Sequence, residues 1–303
     1  MIYDINPSIR SKIWFHDMQP VIDELNIRNI NYALIKGEAL SWYVYGSVGK
    51  RISNDIDLLT DRSQLNLIDS ILKNYGFDQY VGENKKATRS DIISSIINSH
   101  QTISYRKVIE PYKIHLEVDV NFSVFWGENR ELNLDTKDLL DHYIYLNVYG
   151  AYVKVLSPSY AFIQVILHHY KDCNSLYLLY TRKSINHQMF REIYLFWNRY
   201  KKCISLEWLY TYSESTHITE YVFYMLFYTN YIYKDKTLCK YVDALRTDRG
   251  EQLLNSYGLD EVERRHWNVS FDKRILTDSI KLLIENDLTD NDRKKINYSM
   301  NLF

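Results

Sequence analysis

The sequence predicts an α+β protein in two parts, a mixed sheet with helices over residues 1–156 and a mainly helical region over residues 157–303. Three observations predict this. Short apolar runs bounded by glycine turns alternate with helical spacing in the first half. Strand signals nearly vanish beyond Pro158. The 303 residues include only 9 glycines and 4 prolines, so few breakers interrupt the helices.

Residues 8–27 have helical spacing, with Ile9, Ile13, Val21, Ile22 and Leu25 available for one face. The period then changes. Tyr32-Ala33-Leu34-Ile35 is a continuous apolar run ending in Lys36-Gly37, a buried strand followed by a tight turn. Residues 38–45 read as a helix that begins at that glycine. Gly46, Gly49 and Asn54 mark a loop before the next strand, Ile56-Asp57-Leu58-Leu59. Leu65, Ile68, Leu72 and Tyr75 form the face of a further helix closed by Gly76. Residues 84–99, rich in Lys, Ser and Asn, are expected to form a mobile connection or short helix over the site. Residues 104–108 and 113–125 alternate as two strands about a Glu110-Pro111 turn, an antiparallel continuation of the sheet. Residues 145–156, with Gly150 in the middle, read as a hairpin joining the two parts.

In the second part, amphipathic segments fall at 159–174, 187–202, 205–216, 218–233 and 273–286, and the charged stretch 287–295 reads as a solvated end. Basic clusters at Lys85-Lys86, Arg199 with Lys201-Lys202, Arg264-Arg265 and Lys273-Arg274 read as solvated faces unless one lies near the site.

Composition narrows the function classes. Lys plus Arg (37) nearly cancel Asp plus Glu (38), so the net charge of -1 provides no overall field toward nucleic acid or anionic membrane. Cys173, Cys203 and Cys239 have no metal or CxxC spacing, fit a reducing compartment and read as packing residues. No apolar run approaches the roughly 18 residues of a membrane span, and residues 1–4 lack signal-peptide character, so a cytoplasmic protein is expected. The 28 tyrosines read as the product of an AT-biased genome rather than a stacking platform for single strands.

The chemistry centres on three carboxylates. Asp55 and Asp57 stand at i and i+2 on an incoming strand and project to the same side, where they can share a divalent cation. Asp119 lies on a later strand between Val118 and Val120. Three carboxylates from neighbouring strands suit two Mg²⁺ ions bridging triphosphate oxygens during in-line attack at the α-phosphorus. An isolated Asp-x-Asp is often a solvated strand end. Here a strand, a glycine turn and a helix N-terminus come just before it, with free backbone N–H groups for phosphate oxygens. Lys36 and Arg51 flank that turn and can neutralise phosphate charge.

The run Leu34-Ile35-Lys36-Gly37-Glu38-Ala39-Leu40, then Tyr45, Arg51, Asp55-Ile56-Asp57-Leu58-Leu59, Gly76-Phe77 and Val118-Asp119-Val120, resembles an uncharacterised bacterial nucleotidyltransferase family of the polymerase-beta-like superfamily. The resemblance covers roughly residues 30–125 well and the helical half loosely. It departs at Asn121, where the family has histidine, and at Phe122, where it has tryptophan. Lys36-Gly37 replaces the superfamily's glycine-serine pair, as is common in this family. Leu167-His168-His169-Tyr170-Lys171 resembles the family's histidine-bearing helix, while Arg191-Glu192-Ile193-Tyr194 lacks an expected aspartate.

The resemblance implies a nucleotidyltransferase-fold domain whose Asp55, Asp57 and Asp119 are catalytic and hold Mg²⁺ or Mn²⁺. Lys36, Gly37, Arg51, His169 and Lys171 are the implied nucleotide-binding residues, and Asp119 is the implied proton acceptor for the attacking hydroxyl. Gly37 alone reads equally as a plain helix-start turn. Glu117 and His115 share the face of Asp119 by alternation; Glu117 is a candidate extra carboxylate or supporting partner, and His115 an outward-facing polar residue. The expected reaction is transfer of a nucleoside monophosphate, with ATP the favoured NTP, to a hydroxyl on a small molecule or peptide, with nucleotide and Mg²⁺ in a cleft between the two parts. The alternatives are a toxin-like enzyme acting on tRNA or protein, and an inactive nucleotide-binding scaffold.

Overall fold

A computed structural model describes residues 6–82, 85–111, 113–124, 134–181 and 185–302. Residue 84, Phe125 and residues 1–4, which carry sequence expectations, lie outside the described residues. The chain divides into two compact units, the first running through Ala161 and the second from Phe162 to Asn301.

The first unit opens with helix α1 (Pro7–Ile27), capped by Asn6, whose side chain accepts from the Ser8 N–H. Its buried stripe is Ser11, Trp14, Phe15, Met18, Val21, Ile22 and Leu25, whereas Ile9 is exposed. The predicted face was therefore right at its C-terminal end only, because bulkier Trp14 and Phe15 direct the other end inward.

Strand β1 (Tyr32–Ile35) leads into α2 (Gly37–Tyr45), and β2 (Ile56–Thr60) into α3 (Leu65–Asn74). Then come β3 (Asp78–Val81), β4 (Lys85–Lys86) and α4 (Arg89–Asn98). Of the two readings of 84–99, mobile connection or short helix, the helix is the one found, with β4 ahead of it; α4 has a capping box, in which the Thr88 hydroxyl accepts from the Asp91 N–H and the Asp91 carboxylate accepts from the Thr88 N–H. The hairpin β5 (Tyr105–Ile109) and β6 (Ile114–Asn121) follows, then α5 (Thr136–Asp141) and the hairpin β7 (Tyr143–Val148) and β8 (Ala151–Leu156).

The eight strands form one mixed sheet in the order β4-β3-β5-β6-β2-β1-β8-β7. Pairs β2/β6 and β1/β8 are parallel, and the rest are antiparallel. The last hairpin thus completes the sheet beside β1. Every residue of β1 and β2 is buried, as expected of central strands covered on both faces. Helix α1 packs against β8 and α3.

The second unit is helical, as the loss of strand signals predicts. It contains α6 (Pro158–Asn174, entered from the first unit), α7 (Leu176–Thr181), α8 (His187–Tyr200), α9 (Leu206–Ser215), α10 (Thr219–Tyr233), α11 (Lys236–Ala244), α12 (Asp248–Leu254), α13 (Phe271–Ile275), α14 (Lys281–Ile284) and α15 (Asp290–Leu302). A short pair, β9 (Ser256–Tyr257) and β10 (Arg265–His266), interrupts them. Apolar α10 is the core helix and packs on α8, α9, α11 and α12.

Two expectations fail here. The charged end at 287–295 is not a solvated tail: it enters α15, where Asp292 is buried and accepts from Arg265 at 3.1 Å. Arg274 is not on a solvated face: it is 1% exposed, stacks among Tyr228, Phe271 and Trp267, and donates to Tyr228 Oη and the Leu254 carbonyl.

Candidate active site

The turn from β1 into α2 has two successive residues with positive φ, Lys36 at +56° and Gly37 at +36°. Lys36 caps α2 with ψ −148°, a backbone region normally left to glycine. At Gly37 an added Cβ would lie 3.4 Å from Ser53 Oγ, so the loop before β2 passes directly over this glycine.

Two buried side chains of α2 fix that loop. Ser41 Oγ donates to the Ser47 carbonyl and accepts from the Lys50 and Arg51 N–H groups, and the Glu38 carboxylate accepts from the Gly49 N–H. Arg51 is thereby held through its backbone on Ser41 of α2. Arg10 of α1 donates to the Ser53 carbonyl at 2.7 Å and to Asn54 Oδ1 at 3.1 Å. Polar anchors on α1 and α2 therefore set the approach of the chain to Asp55.

Register brings the aspartates to one face. Asp57 lies directly opposite Asp119 in the parallel β2/β6 pair, and Asp55 comes two residues earlier, just ahead of the strand. Each has its own support. Lys36 Nζ lies 2.5 Å from Asp57 Oδ1, Ser53 Oγ donates to Asp55 Oδ1 at 3.0 Å, and Ser104 Oγ donates to Asp119 Oδ1 at 2.5 Å. Gln101 reaches the other Asp119 oxygen at 3.4 Å, and buried Asn121 reaches Asp57 Oδ1 at 3.3 Å. A cavity of about 10 Å³, room for about one water, is lined by Ser11, Gly37, Glu38, Ser53, Asp55 and Asp57 among others.

Crowding of like charge shapes the electrostatics. Burial, then the Asp57 carboxylate, raise Asp55 above its ordinary value, against Lys36 and Ser53. Burial, then Asp57, push Asp119 up to about 7, with the Ser104 hydrogen bond working against them. For Lys36, burial pulls the ammonium down, but Asp57, Asp119 and Asp55 together outweigh it and hold the pKa above the usual value. Oxygen-only donors under mutual repulsion suit a hard divalent cation, which would relieve that repulsion. The three aspartates are less tightly gathered than ligands closed on an ion. Among the described residues, the three side chains whose ligand atoms lie within 4.8 Å of one another are His168, His169 and Asp172, in the second unit.

Of the remaining sequence candidates, Glu117, two residues before Asp119 on β6, acts on the aspartates, its charge adding to the rise of Asp55. Glu117 pairs with Arg106 at 3.3 Å, its register partner on β5, and His115 is exposed. His169 and Lys171 lie on α6 in the second unit; both are buried, and His169 Nε2 lies 3.0 Å from Glu192 Oε2. Sequence reading missed Ser53, Ser104, Gln101 and the role of Asn121. Ser104 had a usable signal: the hairpin pairs Tyr105 with Val118, and one step further places Ser104 opposite Asp119.

Two carboxylates side by side on parallel strands, a third just ahead of them and a glycine turn opening a helix make up the candidate site. Residues 9–234 match the family described as uncharacterised nucleotidyltransferase, and the chain belongs to that family. It is a nucleotidyltransferase enzyme whose general substrate is a nucleoside triphosphate. Among solved structures, an antigenic nucleotidyltransferase-like protein from Paracoccidioides brasiliensis is similar at 17% identity and a TM-score of 0.36, over 60% of this chain and 74% of that one. No curated protein matches the sequence. Among the described residues, no helix is long and apolar enough to cross a membrane.

Proposed function

We propose that this enzyme transfers AMP from ATP to a hydroxyl on a small molecule or peptide, with Mg²⁺ or Mn²⁺ held by Asp55, Asp57 and Asp119. The observation that carries this reading is the direct opposition of Asp57 and Asp119 across β2 and β6, with Asp55 two residues ahead. Bound there, the metal would neutralise triphosphate charge and polarise the α-phosphorus. The Lys36-Gly37 turn and the N-terminus of α2 offer an ammonium and backbone donors to phosphate oxygens, and Arg51 adds a second cation. Asp119, opposite Asp57 across β2 and β6, takes the acceptor hydroxyl's proton. The hydroxyl oxygen forms the new bond to the α-phosphorus as the bond between that phosphorus and the bridging oxygen breaks, and pyrophosphate leaves with the electron pair. For His169 and Lys171, nucleotide contact rests on the resemblance alone.

A small-molecule or peptide acceptor is favoured over tRNA because the basic clusters are partly spent within the protein: Arg264 on exposed Glu261, Arg265 on buried Asp292, and Arg274 in the core. The test is incubation with α-³²P- and γ-³²P-labelled ATP, Mg²⁺ and separate pools of metabolites, peptides and tRNA. The reading requires α-label in a metabolite or peptide and γ-label in pyrophosphate, both lost in Asp57→Asn. α-Label in tRNA would redirect the acceptor, and γ-label in inorganic phosphate without pyrophosphate would exclude nucleotidyl transfer from ATP.

A further inference from the structure

The second unit contains a buried nitrogen-and-oxygen cluster with a different chemical character from the aspartate site. His168 and Asp172 stand at i and i+4 on α6, on one face, with Nε2 and Oδ2 3.5 Å apart. His169 is adjacent, its ring centroid 5.2 Å from that of His168. The three residues are 9%, 3% and 4% exposed, and one ligand atom from each lies within 4.8 Å of the others.

Glu192 of α8 fixes the orientation of His169. Its Oε2 lies 3.0 Å from His169 Nε2, its Oε1 accepts from Gln188 at 3.0 Å, and the residue is 1% exposed. With Nε2–H donated to Glu192, Nδ1 is the nitrogen that keeps its lone pair. That atom is buried, and among the described residues it has no hydrogen-bond partner. A histidine placed for packing would be expected to satisfy both nitrogens. A ring oriented by a carboxylate on one nitrogen, with the other nitrogen bare, is the arrangement of a metal-ligating histidine.

We propose that His168, His169 and Asp172 form a second metal site, distinct from the aspartates, that binds a divalent transition-metal ion such as Zn²⁺, with Glu192 as the residue positioning His169. Two imidazoles and one carboxylate suit Zn²⁺ and its neighbours, whereas Mg²⁺ prefers oxygen donors alone. All three ligands come from one helix and the orienting carboxylate from another, so the ion would tie α6 to α8. Its charge would also offset the buried carboxylates of Asp172 and Glu192.

The test uses the full chain, stripped with a chelator and titrated with Zn²⁺, and with Co²⁺ as a spectroscopic probe. The proposal expects one tightly held ion per chain in the wild type and equally in the Asp55→Asn/Asp57→Asn double variant. Affinity should fall about 10–100-fold in Glu192→Gln and more in Asp172→Asn. Retention of that ion by Asp55→Asn/Asp57→Asn separates this site from the nucleotide site whatever the fate of the proposed reaction. No tight Zn²⁺ in the wild type, or loss of the ion in the aspartate double variant, would overturn it. Should the α6 and α8 variants fail to fold, the wild-type Co²⁺ spectrum decides: intense visible bands of a low-coordinate nitrogen-ligated ion support the site, and the weak bands of an all-oxygen octahedral ion refute it.

Discussion

Lys36 Nζ lies 2.5 Å from Asp57 Oδ1, and it reaches that position from a backbone with φ +56° and ψ −148°. A lysine in this region costs about 1–3 kcal/mol, sustained by the surrounding fold. The ammonium thus already neutralises the carboxylate on which the proposed metal depends. Lys36→Met should bind Mn²⁺ alone more tightly than the wild type, since the ion no longer competes for Asp57, while binding ATP about tenfold more weakly through loss of a charged phosphate contact. Mn²⁺ titration followed by electron paramagnetic resonance, beside ATP calorimetry, checks both; unchanged Mn²⁺ affinity would contradict the competition.

Asp119 gives a pH signature. Burial and its neighbouring carboxylates raise it to about 7 in the folded chain from 3.8. Between those values the folded state binds more protons than the unfolded state, so this group's contribution to stability declines as pH rises from about 4 to about 7 and levels off above. Urea midpoints measured across that range in chelator should show this decline in the wild type and its loss in Asp119→Asn. Parallel slopes in the two proteins would count against it.

Ser104 acts through Asp119. Its hydroxyl lowers the carboxyl's pKa against burial, so Ser104→Ala should move the acidic limb of the pH–rate profile upward and cut kcat about 10–100-fold, with KM for ATP little changed. A lower kcat without the shift in pH profile would assign Ser104 a packing role instead.

Gly37 combines a φ of +36° with a Cβ position 3.4 Å from Ser53 Oγ. Gly37→Ala should destabilise the first unit by about 1 kcal/mol and weaken ATP binding, because an L side chain at this positive φ strains the turn. Thermal unfolding with and without ATP reads the two effects, and wild-type values for both would contradict the need for glycine at this turn.

Much of this site was legible because its parts lie at strand ends, where short apolar runs and period-two alternation are strongest. Tyr32–Ile35, the Lys36-Gly37 turn and the β5/β6 hairpin are read from residues alone, and their register carries the aspartates together. Features without periodicity were hidden. Strands β3 and β4 are four and two residues long, and α5, α7 and α12 six, six and seven, too short to show a repeat. Arg274 looks like a surface charge until its aromatic partners, 46 residues away at Tyr228, come into view. Asn121 reads as a departure from the family, yet its amide reaches Asp57. Glu192 likewise reads as a poor match where an aspartate is expected, yet it supplies the carboxylate that orients His169.

The most direct test of the central claim is calorimetric titration of ATP, GTP, CTP and UTP, each with and without Mg²⁺, into the wild type and Asp55→Ala/Asp57→Ala. The account predicts Mg²⁺-dependent binding, tightest for ATP, that disappears in the folded double variant. Binding that survives the loss of both aspartates, or no binding of any triphosphate to the folded wild type, would contradict it.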